Sequence, residues 1–125
     1  MIRARHVVLP DRVVTDAGVE VDDRGQVVGV VSGSGPQHHH TLVPGLVDLQ
    51  VNGHDDVDVA AARGADWDRL DALLLAQGVT AWCPTLVTAP LEAYAAPLAR
   101  VAEAAARPGR HPAILGGPPQ GPPPG

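Results

Sequence analysis

The stretch Val43 to Asp58, VPGLVDLQVNGHDDVD, decides how the chain reads. Its apolar run GLVDLQV is short, bounded by Pro44 and Gly53, and built from Val and Leu, which marks a strand. It ends in two amides spaced two apart, Gln50 and Asn52. Alternate side chains of an extended strand share a face, so both amides are expected to emerge together at its carboxyl end. Gly53 lets the backbone turn sharply there, which puts His54, Asp55, Asp56 and Asp58 on the loop above. Two readings stand side by side: amides that close a strand beneath a solvated acidic loop, or the mouth of a site.

Downstream the pattern alternates. ADWDRLDALLLAQG predicts a helix, with Asp66 as a candidate N-cap, Leu70, Leu73 and Leu74 at helical spacing, and Gly78 as the stop. VTAWCPTLV reads as a second strand and PLEAYAAPLARVAEAAARPG as a second helical segment. In that segment Leu91, Leu98 and Val101 are expected inward, and Pro97 is expected to kink or divide it. PAILG is a third candidate strand. Strand, helix, strand, helix, strand implies parallel pairing.

Upstream, residues 2 to 31 alternate Val-rich runs with turn residues, which predicts small antiparallel strands with DDRG as a hairpin turn. SGSGPQHHHT, residues 32 to 41, has nothing to bury and reads as a loop; three successive histidines do not converge easily on one tetrahedral ion. The resulting division is a β-rich, sandwich-like segment over 1–42, an α/β region over 43–116 and a Gly/Pro-rich tail over 117–125, expected to be extended or disordered.

Composition excludes some functions. The chain has 125 residues, nine Arg with no Lys, and a formal net charge of -5. No basic patch forms locally, so nucleic acid is not an expected partner. With no Phe, one Tyr and two Trp, the core must come from Val, Leu and Ala, and core packing is the expectation for Trp67 and Trp82. The single Cys83 rules out an internal disulfide, reads as a small buried thiol, and fits a reducing, cytoplasmic setting. The N-terminal apolar run breaks at Asp11 and Arg12, so neither a signal peptide nor a membrane span is expected.

LVPGLVDLQVNGHDDVDV, LLAQGVTAWCPTLVT and AILG, in that order and spacing, resemble the N-terminal portion of the N-acetylglucosamine-6-phosphate deacetylases of the amidohydrolase superfamily. The resemblance covers most of residues 1 to 117. It implies an α/β fold in which small N-terminal β-sandwich strands precede the first two to three βα units of an incomplete TIM-type (β/α)8 barrel. Members of the superfamily usually carry a His-x-His metal pair where this chain has Gln50 and Asn52. The resemblance therefore points to deacetylases with Gln-x-Asn and one metal, in which the two amides bind substrate or water in the pocket. A neutral amide is a weak zinc ligand but a good hydrogen-bonding group.

The implied reaction is metal-assisted hydrolysis of an amide, releasing acetate and glucosamine 6-phosphate in amino-sugar catabolism. Zinc or a similar divalent ion is the implied cofactor, an amino-sugar phosphate the implied small-molecule partner, and a homodimer the implied assembly. The family continues after ILG with His-Leu-Glu-Gly-Pro, whose Glu is a metal ligand; here Gln120 takes that position. The family's catalytic aspartate and histidine ligands belong to later strands, and an eight-unit barrel takes about 250 residues. The expectation is a truncated gene product or fragment, marginally stable, catalytically silent and metal-free by itself. Two alternatives are a fragment of another metal-dependent amidohydrolase, since PGLVD recurs across the superfamily, and a non-catalytic remnant acting as an interaction module.

Overall fold

The computed structural model describes residues 1–33 and 40–116. The chain divides into two compact units, Met1–Pro44 and Gly45 onward, so the division falls two residues beyond the boundary read from the sequence.

In the first unit β1 (Ile2–Val8), β2 (Val13–Val21) and β3 (Val27–Ser32) pair antiparallel in succession. The β2–β3 turn shows why DDRG works as one. The Asp22 carboxylate accepts the backbone N–H groups of Arg24 (2.9 Å) and Gln26 (2.8 Å), and Gly25 takes a left-handed φ of 81°. A short β4 (Thr41–Leu42) joins β1 in parallel, giving the order β3-β2-β1-β4. Ala4, Val7, Ala17 and Val19 form its buried cluster. Among the described residues this unit is a single sheet, whereas a sandwich would need a second one facing it. Val13, Val27 and Val28 accordingly stay exposed.

The second unit opens with β5 (Leu46–Val51), followed by a small hairpin of β6 (Gly53–His54) and β7 (Val57–Asp58) where the sequence predicts a loop. Then come α1 (Ala65–Ala76), β8 (Val79–Pro84), a 3-10 turn at Leu91–Ala93, α2 (Ala95–Ala105) and β9 (Ala113–Ile114). The strands form a parallel sheet in the order β5-β8-β9, as strand-helix alternation predicts. Leu70, Leu74, Trp67, Trp82, Val59 and Val101 are among the side chains that make its core. Both tryptophans are therefore packing residues.

Two helix expectations need correction and a third is met in part. Asp66 is not the N-cap of α1: Gly64 is, at φ 50°, and the Asp66 carboxylate reaches back from the first turn to the Arg63 N–H at 2.9 Å. Leu91 and Leu98 do not point inward, being 86% and 55% exposed, while Val101 and Ala104 carry the buried stripe. The segment around Pro97 is divided in two, as one arm of that expectation has it, but the break falls at Tyr94, between the 3-10 turn and α2, and Pro97 sits in the first turn of α2. The first intrahelical donor is the Leu98 N–H, to the Tyr94 carbonyl at 3.0 Å, so Pro97 lacks a proton that would have had no acceptor.

α1 is also tied through charge to Arg107, which lies just beyond the end of α2. Asp71 of α1 is buried, and its carboxylate accepts from Arg107 Nη2 at 2.7 Å, while Arg107 Nη1 reaches Asp68 at 3.0 Å. Among the described residues no helix is long and apolar enough to cross a membrane.

Candidate functional site

The carboxyl end of β5 carries the residues that the sequence singles out. Along β5 and β8 the partners run Asp48↔Trp82 and then Val51↔Pro84, three residues on one strand against two on the other. That irregularity is a bulge, and it interrupts the simple alternation that would put Gln50 and Asn52 on one face. The Asp48 carboxylate shapes it locally by accepting the Gln50 N–H at 3.0 Å. Beyond the bulge Val51 enters the core and its carbonyl accepts the Thr85 N–H at 2.8 Å, which sets the strand end against the loop after β8.

Asn52 leads into the hairpin. Its carbonyl accepts the Val59 N–H at 3.0 Å, and Gly53 passes close to the Val57 carbonyl, so the hairpin folds back tightly on the strand end. Val57 and Val59 anchor the hairpin root in the core. A cavity of about 440 Å³ opens here, lined by Asn52 through Asp58 with Ala60 and Val87. Asn52 is on its wall; Gln50 is exposed next to it and does not line it.

The acids on this wall are held by partners that short-range sequence patterns do not reveal. Arg69, projecting from α1, donates through Nε to Asp56 at 2.5 Å and through Nη2 to Asp55 at 3.0 Å. The hydrogen bond from Arg69 holds the Asp56 carboxyl below its ordinary range. Asp58 closes the next turn, its carboxylate accepting the Ala60 N–H at 2.9 Å and its carbonyl the N–H groups of Ala61 and Ala62. The Gln77 amide donates to Nε2 of His54, which fixes that ring toward the end of α1. These acids thus have structural partners, and among the described residues no three His, Cys, Asp or Glu side chains converge as a metal site. Gln120, His38 and His39 lie outside the described residues, while the His40 carbonyl accepts the Arg5 N–H at 3.0 Å. Cys83 is half-buried in β8.

No family model matches the chain. It is 33% identical over 108 residues to the N-acetylglucosamine-6-phosphate deacetylase of Vibrio furnissii, which covers 81% of this chain and 27% of that protein. It is 31% identical over 125 residues to the N-acetylgalactosamine-6-phosphate deacetylase of Escherichia coli O157:H7, covering 94% of this chain and 33% of that one. The crystal structure of N-acetyl-D-glucosamine-6-phosphate deacetylase from Mycobacterium smegmatis superposes with a TM-score of 0.65 at 27% identity, over 83% of this chain and 30% of that one. A second structure of that enzyme, a variant in complex with N-acetyl-D-glucosamine-6-phosphate, gives 0.64. The chain thus spans a third or less of the length of these relatives. In sequence and in backbone it matches the N-terminal portion of the N-acetylglucosamine-6-phosphate deacetylases.

Proposed function

We propose that this chain supplies the opening strands and the first wall of the pocket of a hexosamine-phosphate deacetylase, a hydrolase that releases acetate from N-acetylglucosamine 6-phosphate. The observation that carries the reading is the coincidence of two things at one place. The cavity opens at the carboxyl end of the first parallel strand, where ligands of parallel α/β folds gather, and the similarity to deacetylases runs through that strand. In this reading β5, β8 and β9 are the first three strands of a barrel, Asn52 offers its amide to substrate or water from the wall, and Gln50 does so from its rim.

The described residues do not assemble a metal site, so the divalent ion of the proposed reaction, zinc or similar, requires ligands from elsewhere in a complete enzyme. The part of this chain is to bind and orient. An amide side chain both donates and accepts, which suits the N-acetyl group and the hydroxyls of a sugar. A cytoplasmic setting and a homodimeric complete enzyme go with this reading.

The test is a chimera in which residues 1–116 replace the aligned segment of the Vibrio furnissii enzyme. The chimera is expected to release acetate from N-acetylglucosamine 6-phosphate, and Asn52→Ala to lower its kcat/KM by about 10-fold or more, the loss of one or two substrate hydrogen bonds. The 125-residue chain by itself is expected to release none. A folded chimera without activity, or an Asn52→Ala chimera as active as its parent, would remove the support for this role. Assaying N-acetylgalactosamine 6-phosphate in parallel separates the two named sugar specificities.

A further inference from the structure

The root of the β6–β7 hairpin and its tip are held by different means. At the root, Val57 and Val59 are packed in the core, Gly53 lies against the Val57 carbonyl, and the Val59 N–H is bonded to Asn52. At the tip, Asp55 takes a left-handed φ of 54°, rarely adopted by residues other than Gly, Asn and Asp, and both Asp55 and Asp56 are exposed. The other titratable groups of the hairpin are engaged elsewhere, His54 with Gln77 and Asp58 with the Ala60 N–H. What reaches the tip is the Arg69 guanidinium, spanning the two carboxylates at once. Asp55 and Asp56 line the cavity; Arg69 does not.

We propose that Arg69 is a positioning residue for the cavity mouth, acting through Asp55 and Asp56. A planar guanidinium with donors on separate nitrogens can hold two neighbouring carboxylates in fixed directions, whereas an ammonium offers one point charge. The two acids therefore hold their places on the wall only while Arg69 spans them. Without it their mutual repulsion opens the tip, and the cavity changes shape at its rim. This holds whatever substrate the cavity takes, so its failure and the failure of the deacetylase reading are separate results.

The experiment is NMR on the 125-residue chain. In Arg69→Met the amide resonances of Gly53 to Asp58 are expected to move while those of β8 stay, and the side-chain carboxyl of Asp56 is expected to titrate higher than in the parent, because the lowering hydrogen bond is gone. In Arg69→Lys the Asp56 midpoint is expected to return part of the way while the hairpin amides stay displaced, because one ammonium does not reproduce the fork. If Arg69→Met loses the fold, Arg69→Gln is expected to move the same amides, and adding Asp55→Asn to it, which removes the repulsion between the two acids, to return the amides of Val57 and Asp58 part of the way. Unmoved hairpin amides in Arg69→Met, or in Arg69→Gln where the former does not fold, overturn the proposal. So does full restoration of wild-type hairpin resonances by lysine.

Discussion

A methyl group on Gly53 would sit 2.4 Å from the Val57 carbonyl oxygen and 3.3 Å from Asp58 Cα. Both are backbone atoms of the opposing hairpin strand, so the contact cannot be relieved by a rotamer change. Gly53→Ala is expected to lose about 1–3 kcal/mol, typical of overpacking, and to break the Gly53–Asp58 pairing. Urea titration with the hairpin amides followed by NMR checks both, and an alanine variant as stable as the parent would mean the hairpin is looser than described. Nearby, the Arg69–Asp56 pair makes stability depend on pH with a definite sign. The folded carboxyl ionises below its ordinary value, so between the two values the unfolded chain binds more protons. The pair's contribution is therefore present above about pH 4 and is lost as pH falls through the lowered folded value. The urea midpoints of the parent and of Arg69→Met are expected to converge as pH drops from roughly 6 to 3, screened but not abolished by salt. A gap that stays constant over that range would contradict the pairing.

At the scale of elements, α1 and α2 contribute side chains to one apolar core, and a buried carboxylate of α1 holds Arg107 in the segment just after α2. Removing the cation in Arg107→Met leaves Asp71 buried without its partner, and the expected loss is about 1–3 kcal/mol, between a surface pair and a fully buried one. Asp71→Leu removes the charge as well as the pair and is expected to cost less; a double-mutant cycle measures the coupling, and additive losses would show there is none. The elements themselves were legible in sequence wherever the signal was local. Val-rich runs bounded by Asp and Gly located β1, β2 and β3, and strand-helix alternation located the parallel sheet. What the sequence hid was long-range. Leu91, Leu98 and Val101 fit a helical stripe, yet only packing decides which face a helix buries: Val101 faces the core as expected, with Ala104 beside it, and the two leucines do not. The register shift between Asp48 and Val51 is set by pairing with β8, which counting in twos along β5 does not reveal. The Arg69 fork joins residues 13 and 14 apart in sequence; an arginine on the otherwise acidic polar face of α1 was the one local sign of it.

At the scale of the whole molecule the second unit presents a sheet that is covered unevenly. β5 pairs with β8 along one edge, and among the described residues its other edge has no strand beside it. Leu46, Val47 and Leu49 of that strand are 54%, 54% and 74% exposed, and together with Val79 and Gln77 they line a groove of about 340 Å³. Parallel strands are ordinarily covered on both faces, and an open apolar edge is a template for pairing with another chain. Half-buried Asp48 is the one charge along β5 that opposes such pairing. The isolated chain is therefore expected to self-associate as its concentration rises, and Val47→Lys with Leu49→Lys to suppress this while the circular dichroism spectrum stays that of the parent. Sedimentation velocity over a hundred-fold concentration range reads the first effect, and apolar dye binding reads the exposed groove. A parent chain that stays monomeric throughout and binds no dye would show that this strand is covered in solution, and the exposed Leu46, Val47 and Leu49 would then need a covering segment from the chain itself.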